Sequence, residues 1–104
     1  MAVLALIVGF GVLQVQRANT PYIKTVLSLT GDANQGHAIF LMNCAGCHAL
    51  QLEQQVGPSL EGISQRKSEI DLIYQVISGR TPPMPQFQPN PQEMADLLSY
   101  LEQL

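Results

Sequence analysis

Three of the chain's four cysteine and histidine residues fall within five positions, in Cys44-Ala45-Gly46-Cys47-His48. C-x-x-C-H is the signature of covalent c-type haem attachment. Two thiols separated by two residues can reach the two vinyl groups of one haem c and form thioethers. The adjacent imidazole is then placed beneath the iron as its proximal ligand. The competing chemistries fit less well. A redox-active C-x-x-C belongs near a βαβ pattern, which this sequence lacks. A zinc site needs four ligands, and beyond the motif only His37 is an obvious nitrogen or sulfur donor. A lone disulfide across two residues would staple almost nothing, because its stabilisation grows with loop length.

A six-coordinate haem needs a second axial ligand, and the chain offers four methionines and His37. Met1 lies in an apolar N-terminal run. Met42 sits two residues before Cys44, too close in the chain to reach the opposite haem face. Met94 belongs to the apolar stripe of the last helix. Met84 is 36 residues beyond His48, in a loop stiffened by Pro82, Pro83 and Pro85, where no helical stripe asks for it. Such a loop can hold a thioether against iron with little freedom to lose. The bland reading of Met84 is a gap-filling or surface side chain. His37 as ligand would make a bis-histidine haem; otherwise it is a solvent-facing helix residue.

Other residues fit a haem pocket. Gly57-Pro58 ends a loop that can return to the proximal side, where the Pro58 carbonyl would accept a hydrogen bond from His48 Nδ1–H. Gly-Pro is equally a plain turn signal. Leu60, Ile73, Ile77, Leu97 and Leu98 could wall the haem or be ordinary core. Arg66 or Lys67 could meet propionates or be solvated loop charges.

The elements that must position these residues are helical. Gly31 and Asp32 open a helix over about 32–42, with Gly36, Ile39 and Phe40 on one face. A long loop spans about 50–67. Ser68 followed by Asp71 resembles a capping box opening a helix that carries Ile70, Ile73, Tyr74 and Ile77, with Gly79 able to close it. Residues 80–88 (RTPPMPQFQ) cannot be helical, because the prolines remove donors and fix φ. The last helix has Asn90 as cap, Pro91 first, Glu93 third and a stripe of Met94, Leu97, Leu98, Leu101 and Leu104. No strand pattern and no repeat occurs, so the fold class is all-α.

Composition bounds the rest. The 104 residues include five basic and eight acidic side chains, for a formal net charge of −3. Nucleic-acid binding normally needs a basic patch, so no nucleic-acid partner is expected. Charged residues are only 12% of the chain, while 46% is hydrophobic, which argues against disorder. Residues 1–16 contain no charge. Sixteen residues fall just short of the roughly 17 that a membrane-spanning helix needs at minimum. The run reads as an uncleaved membrane anchor, with a cleaved signal and a buried core helix as alternatives; residues 11–20 lack a good A-x-A-like cleavage site. Arg17 and Lys24 follow the segment, a bias that taken literally favours the wrong orientation for covalent haem attachment. Residues 17–30 read as a connector with one short helix carrying Ile23, Val26 and Leu27, and 31–104 as the haem domain.

From Gly31 to Leu104 the pattern resembles a class I monohaem cytochrome c. The matching elements are Gly36 and Phe40 of the first domain helix, CAGCH at 44–48, GPSL at 57–60, the methionine loop, and a last helix with Leu97 and Tyr100. The resemblance implies the class I fold around one covalent haem, with Gly36 and Phe40 packing against Leu97 and Tyr100. It also places the haem domain on the lumenal or periplasmic side of a thylakoid or plasma membrane. The chain lacks tryptophan and a lysine-rich rim, so family ideas about partner docking do not transfer.

A histidine–methionine pair closes both axial positions, so the expected function is one-electron carriage between redox proteins rather than catalysis. The expected partners are an oxidase, a photosystem or other electron carriers in a photosynthetic or respiratory chain, with the membrane met through residues 1–16 and the protein a monomer. The competing class is a five-coordinate haem peroxidase or gas sensor, which needs Met84 to be off the iron. Residues 33–52 and 81–92 carry no formal charge with neutral histidines. An uncharged docking face is therefore expected, with Ala45, Gly46, Pro83, Pro85 and Phe87 as members.

Overall fold

The computed structural model describes residues 2–48 and 57–104. Seven helices and no strand occur among them: α1 (Ala2–Ala18), α2 (Pro21–Ser28), α3 (Ala33–Asn43), α4 (Ala45–His48), α5 (Ile63–Arg66), α6 (Glu69–Ser78) and α7 (Pro91–Leu101). The all-α expectation holds.

The helix ends follow local chemistry. Asp32 caps α3, its carboxylate accepting from Asn34 N at 2.9 Å and Gln35 N at 3.4 Å. Asn90 and Glu93 form a complete capping box on α7, with bonds of 2.8 and 3.1 Å. Ser68 caps α6 by accepting from Asp71 N, and Gly79 closes it at φ 66°. Here the structure departs from a full capping box: the Asp71 carboxylate reaches across to α1 instead. The expected loop at 50–67 contains the short α5 in its later part, while residues 50–56 lie outside the described residues.

The core is built on the crossing of α3 and α7. Ile73, Met94 and Leu97 are wholly buried, with Phe40, Leu98 and Leu101 around them. Burying each such side chain is worth roughly 1.5–3 kcal/mol. Gly36 makes the crossing close: a Cβ there would overlap the Asp96 carbonyl and lie 2.9 Å from Tyr100 Cβ. Phe40 packs on Tyr100 with ring centroids 5.2 Å apart. The buried Asp96 carboxylate accepts from Asp32 N at 2.8 Å and Gln92 Nε2 at 2.9 Å, tying the start of α3 to α7.

The connector is more than a spacer. Ile23 and Val26 of α2 are buried in the core, and Tyr22 Oη donates to the Pro89 carbonyl at 2.6 Å. Burial first, and Glu93 second, push the Tyr22 phenol up to about 12. Helix α1 does the opposite: no residue of it is buried, which removes the core-helix alternative for this segment. No single described helix is long and apolar enough to cross a membrane; α1 and α2 pass that test only as a pair bent by 72°. While α2 gives Ile23 and Val26 to the protein core and leaves Leu27 exposed, α1 turns its apolar side chains outward.

Candidate haem-attachment site

Helix α3 ends at Cys44, whose N–H still bonds to the Phe40 carbonyl at 2.8 Å. The single turn α4 follows at once, with Cys47 N and His48 N both donating to the Cys44 carbonyl at 3.2 and 3.0 Å. That turn gathers the two thiols and the imidazole onto one short, hydrogen-bonded stretch. Both cysteines are free and half-buried. Burial, and secondarily the neighbouring Cys47, push the Cys44 thiol up from its ordinary value.

The chain returns to the motif through Gly57 and Pro58. Gly57 N donates to the Cys47 carbonyl at 2.7 Å. His48 Nδ1 lies 2.9 Å from the Pro58 carbonyl oxygen. A carbonyl only accepts, so Nδ1 carries the proton and Nε2 keeps its lone pair for a metal. Gly57 lies flat against the ring: a Cβ there would fall 2.6 Å from Nδ1 and 2.7 Å from Nε2. Only glycine allows this loop to press on the imidazole. Two free thiols at C-x-x-C spacing, beside an imidazole so oriented, form the donor set that haem c requires. The residues fit the group.

Met84 lies on another loop. Its N–H bonds to the Thr81 carbonyl at 2.9 Å, and its sulfur receives the Gln75 side-chain amide at 3.7 Å. The same Gln75 amide reaches Thr81 Oγ1 at 3.0 Å, so α6 grips the methionine loop at two points. Among the described residues no hydrogen bond joins this loop to the Cys44–His48 turn. Gln75 escaped the sequence reading because a polar residue within a helix gives no periodic signal.

The remaining candidates resolve into structural roles. His37 stacks on Tyr100, centroids 4.8 Å apart and rings 15° from parallel. Met94 is wholly buried in the core, whereas Met42 is 82% exposed. Arg66 donates to the Ser59 and Glu61 carbonyls, both at 3.1 Å, which fixes the loop after Pro58. Ile73, Leu97 and Leu98 are buried, while Leu60 and Ile77 are half-buried against the same cluster. Of the expected docking residues, Gly46, Pro83 and Pro85 are exposed and Ala45 is half-buried. Phe87 turns partly into the core, its N–H bonding to the Val76 carbonyl at 3.0 Å.

An all-helical chain presenting this motif is a c-type cytochrome. Residues 31–101 match the family described as cytochrome C oxidase, cbb3-type, subunit III, and the chain belongs to that family of c-type haem domains. It is similar to a cytochrome c-553-like protein of Synechocystis, 62% identical over 84 residues, covering 81% of this chain and 80% of the relative. A cytochrome c of Arabidopsis thaliana is 41% identical over 44 residues, or 40% of this chain and 39% of that one. No solved structure matches the chain. The stretches GDANQGHAIFLMNCAGCH and ISGRTPPMPQFQPNPQEMADLLSYL also look like the cyanobacterial cytochrome M group, with which the Synechocystis relative is consistent.

Proposed function

We infer that this c-type cytochrome carries single electrons between redox proteins through one haem c tethered by Cys44 and Cys47, with His48 and Met84 as axial ligands. The observation that carries the reading is the His48 ring, held between the Pro58 carbonyl and the Gly57 backbone directly beside two free thiols. When bound, the haem supplies reversible one-electron exchange at iron. The chain's own residues orient and protect it. Pro58 strengthens donation from Nε2 by accepting a hydrogen bond from Nδ1–H. Gln75 donates to the Met84 sulfur, which draws electron density from it and favours the ferrous state.

Substituting Met84→Ala tests the ligand set. The sulfur-to-iron charge-transfer band of the oxidised protein should vanish, and the reduced variant should bind carbon monoxide while the native protein does not. A band that survives the substitution would eliminate Met84 as the ligand, and carbon monoxide binding by the native reduced protein would favour a five-coordinate peroxidase or gas sensor instead.

Docking belongs to the same reading. Leu41 and Met42, exposed just before Cys44, extend the uncharged surface of the motif and the methionine loop. Electron transfer to a partner such as an oxidase, a photosystem or another carrier should then depend weakly on salt, since screening acts on charges. Residues 1–16 act as a membrane anchor in this reading and hold the haem domain at the lumenal or periplasmic surface, raising its effective concentration near membrane-bound partners. Its support is the exposure of every large apolar side chain from Val3 to Leu13.

A further inference from the structure

The end of α1 does not leave the haem domain as a free tether would. Gln14 Nε2 donates to Asp71 Oδ1 at 3.0 Å, and Arg17 Nη1 lies 3.5 Å from the same oxygen. The Arg17 guanidinium also sits over the Tyr74 ring, 4.0 Å from its centroid. Arg80 covers that ring too, at 4.4 Å, so one aromatic side chain lies against guanidinium groups from the apolar helix and from the start of the methionine loop.

The α1 side of the junction is largely dry, while the Asp71 side chain is 30% exposed. The Arg17 side chain is only 14% exposed, and Gln14 Oε1 and Arg17 Nε are buried without partners. Removing a guanidinium from water is costly and persists only where charge pairing and an aromatic face offset it. A sequence that needed only a tether would leave these groups solvated. Asp71 and Tyr74 are one helical turn apart on α6, so both holds act on one face of one rigid element. The next residue, Gln75, grips Thr81 and Met84.

We propose that Gln14 and Arg17, clamped by Asp71 and Tyr74, lock the apolar helix to the haem domain, so that a lipid bilayer holding that helix presents the methionine-loop side at a fixed tilt. The proposal rests on the membrane reading of α1 and adds the orientation of the domain to it. The occupant of the exposed α1 surface is lipid hydrocarbon, because its apolar side chains lie on all faces and not along one stripe.

Linear dichroism of the haem in the full chain, reconstituted into oriented phosphatidylcholine bilayers, tests it. The native protein should sediment with vesicles of that lipid and show a dichroic Soret band. Arg17→Ala with Asp71→Ala should sediment equally and keep its solution spectrum, but the dichroism should fall to the isotropic value. Asp71→Ala alone, which leaves Arg17 on Tyr74, should lose part of it. Lys24→Ala, removing an exposed charge of α2 outside the clamp, should lose none. A native protein that sediments but is isotropic, or clamp variants as dichroic as the native, would overturn the proposal while leaving the anchor intact. A native protein that stays in the supernatant would defeat the anchor itself.

Discussion

Helices α1 and α7 are both rich in apolar residues and differ in what they do with them. Helix α7 buries six of its 11 residues, whereas the 17 residues of α1 bury none. The cause is pattern, not content. Met94, Leu97, Leu98 and Leu101 form one stripe that a second helix can cover, whereas the apolar side chains of α1 point everywhere. The contacts that hold each helix differ accordingly: α7 is fixed by close backbone approach and a dry core, α1 by a polar clamp at one end.

That contrast can be broken most strongly at glycine. Gly36→Ala should destabilise the haem domain by about 3 kcal/mol in denaturant unfolding, because helices pressed backbone to backbone must separate. Gly11→Ala should leave the same transition unchanged or stabilise it by up to about 1 kcal/mol through helix propensity, since nothing lies within 4 Å of the added Cβ. Equal losses from both would erase the distinction between the two helices.

Next in size is the polar tie beneath the crossing. Asp96→Ala should cost about 2 kcal/mol by leaving the Asp32 N–H without its acceptor, while the Gln92 amide keeps only its bond to the Thr30 carbonyl. Unfolding of the full-length variant measures it, and a neutral result would mean that the helices need no carboxylate between them.

Gln75→Leu should hardly alter stability yet lower the reduction potential by on the order of 40 mV, the one-electron equivalent of a hydrogen bond worth ~1 kcal/mol. Potentiometry reads the shift. An unchanged potential would make the Gln75–Met84 contact incidental to electron transfer.

The smallest effect concerns the clamp. Hydrogen bonding from Gln14 is the main cause holding the Asp71 carboxyl below its ordinary range, opposed by burial and aided by Ser68, Arg17 and Lys67. The stability it contributes is therefore complete above its ordinary value of 3.8 and is lost as pH falls through the depressed value. Solvent screening keeps the contribution below about 1 kcal/mol. A pH series of unfolding curves on native protein and Asp71→Asn should show this acid-side loss only in the native chain.

What the sequence made legible was local chemistry. The CAGCH turn, the α7 capping box, the proline-stiffened loop and the glycine in α3 each announce themselves within a few residues. The Pro58 contact was legible because carbonyl and imidazole are only ten residues apart. Asp71 was not: it reads as half of a capping box until Gln14, 57 residues away, is seen to claim its carboxylate. The role of Gly57 against the imidazole was hidden for a related reason, since Gly-Pro signals a turn whether or not a ring lies beneath it. The connector likewise hid two core residues, Ile23 and Val26, because eight residues of helix reveal an apolar face but not what covers it.

The account depends above all on covalent haem attachment. Full-length matured protein should be denatured, extracted with acidified acetone, and assayed as the pyridine haemochrome. All the haem should remain with the polypeptide, one per chain, and the Cys44→Ser, Cys47→Ser double variant should release any pigment it holds to the solvent. Pigment extracted from the native protein, or native protein with no haem, would contradict the account.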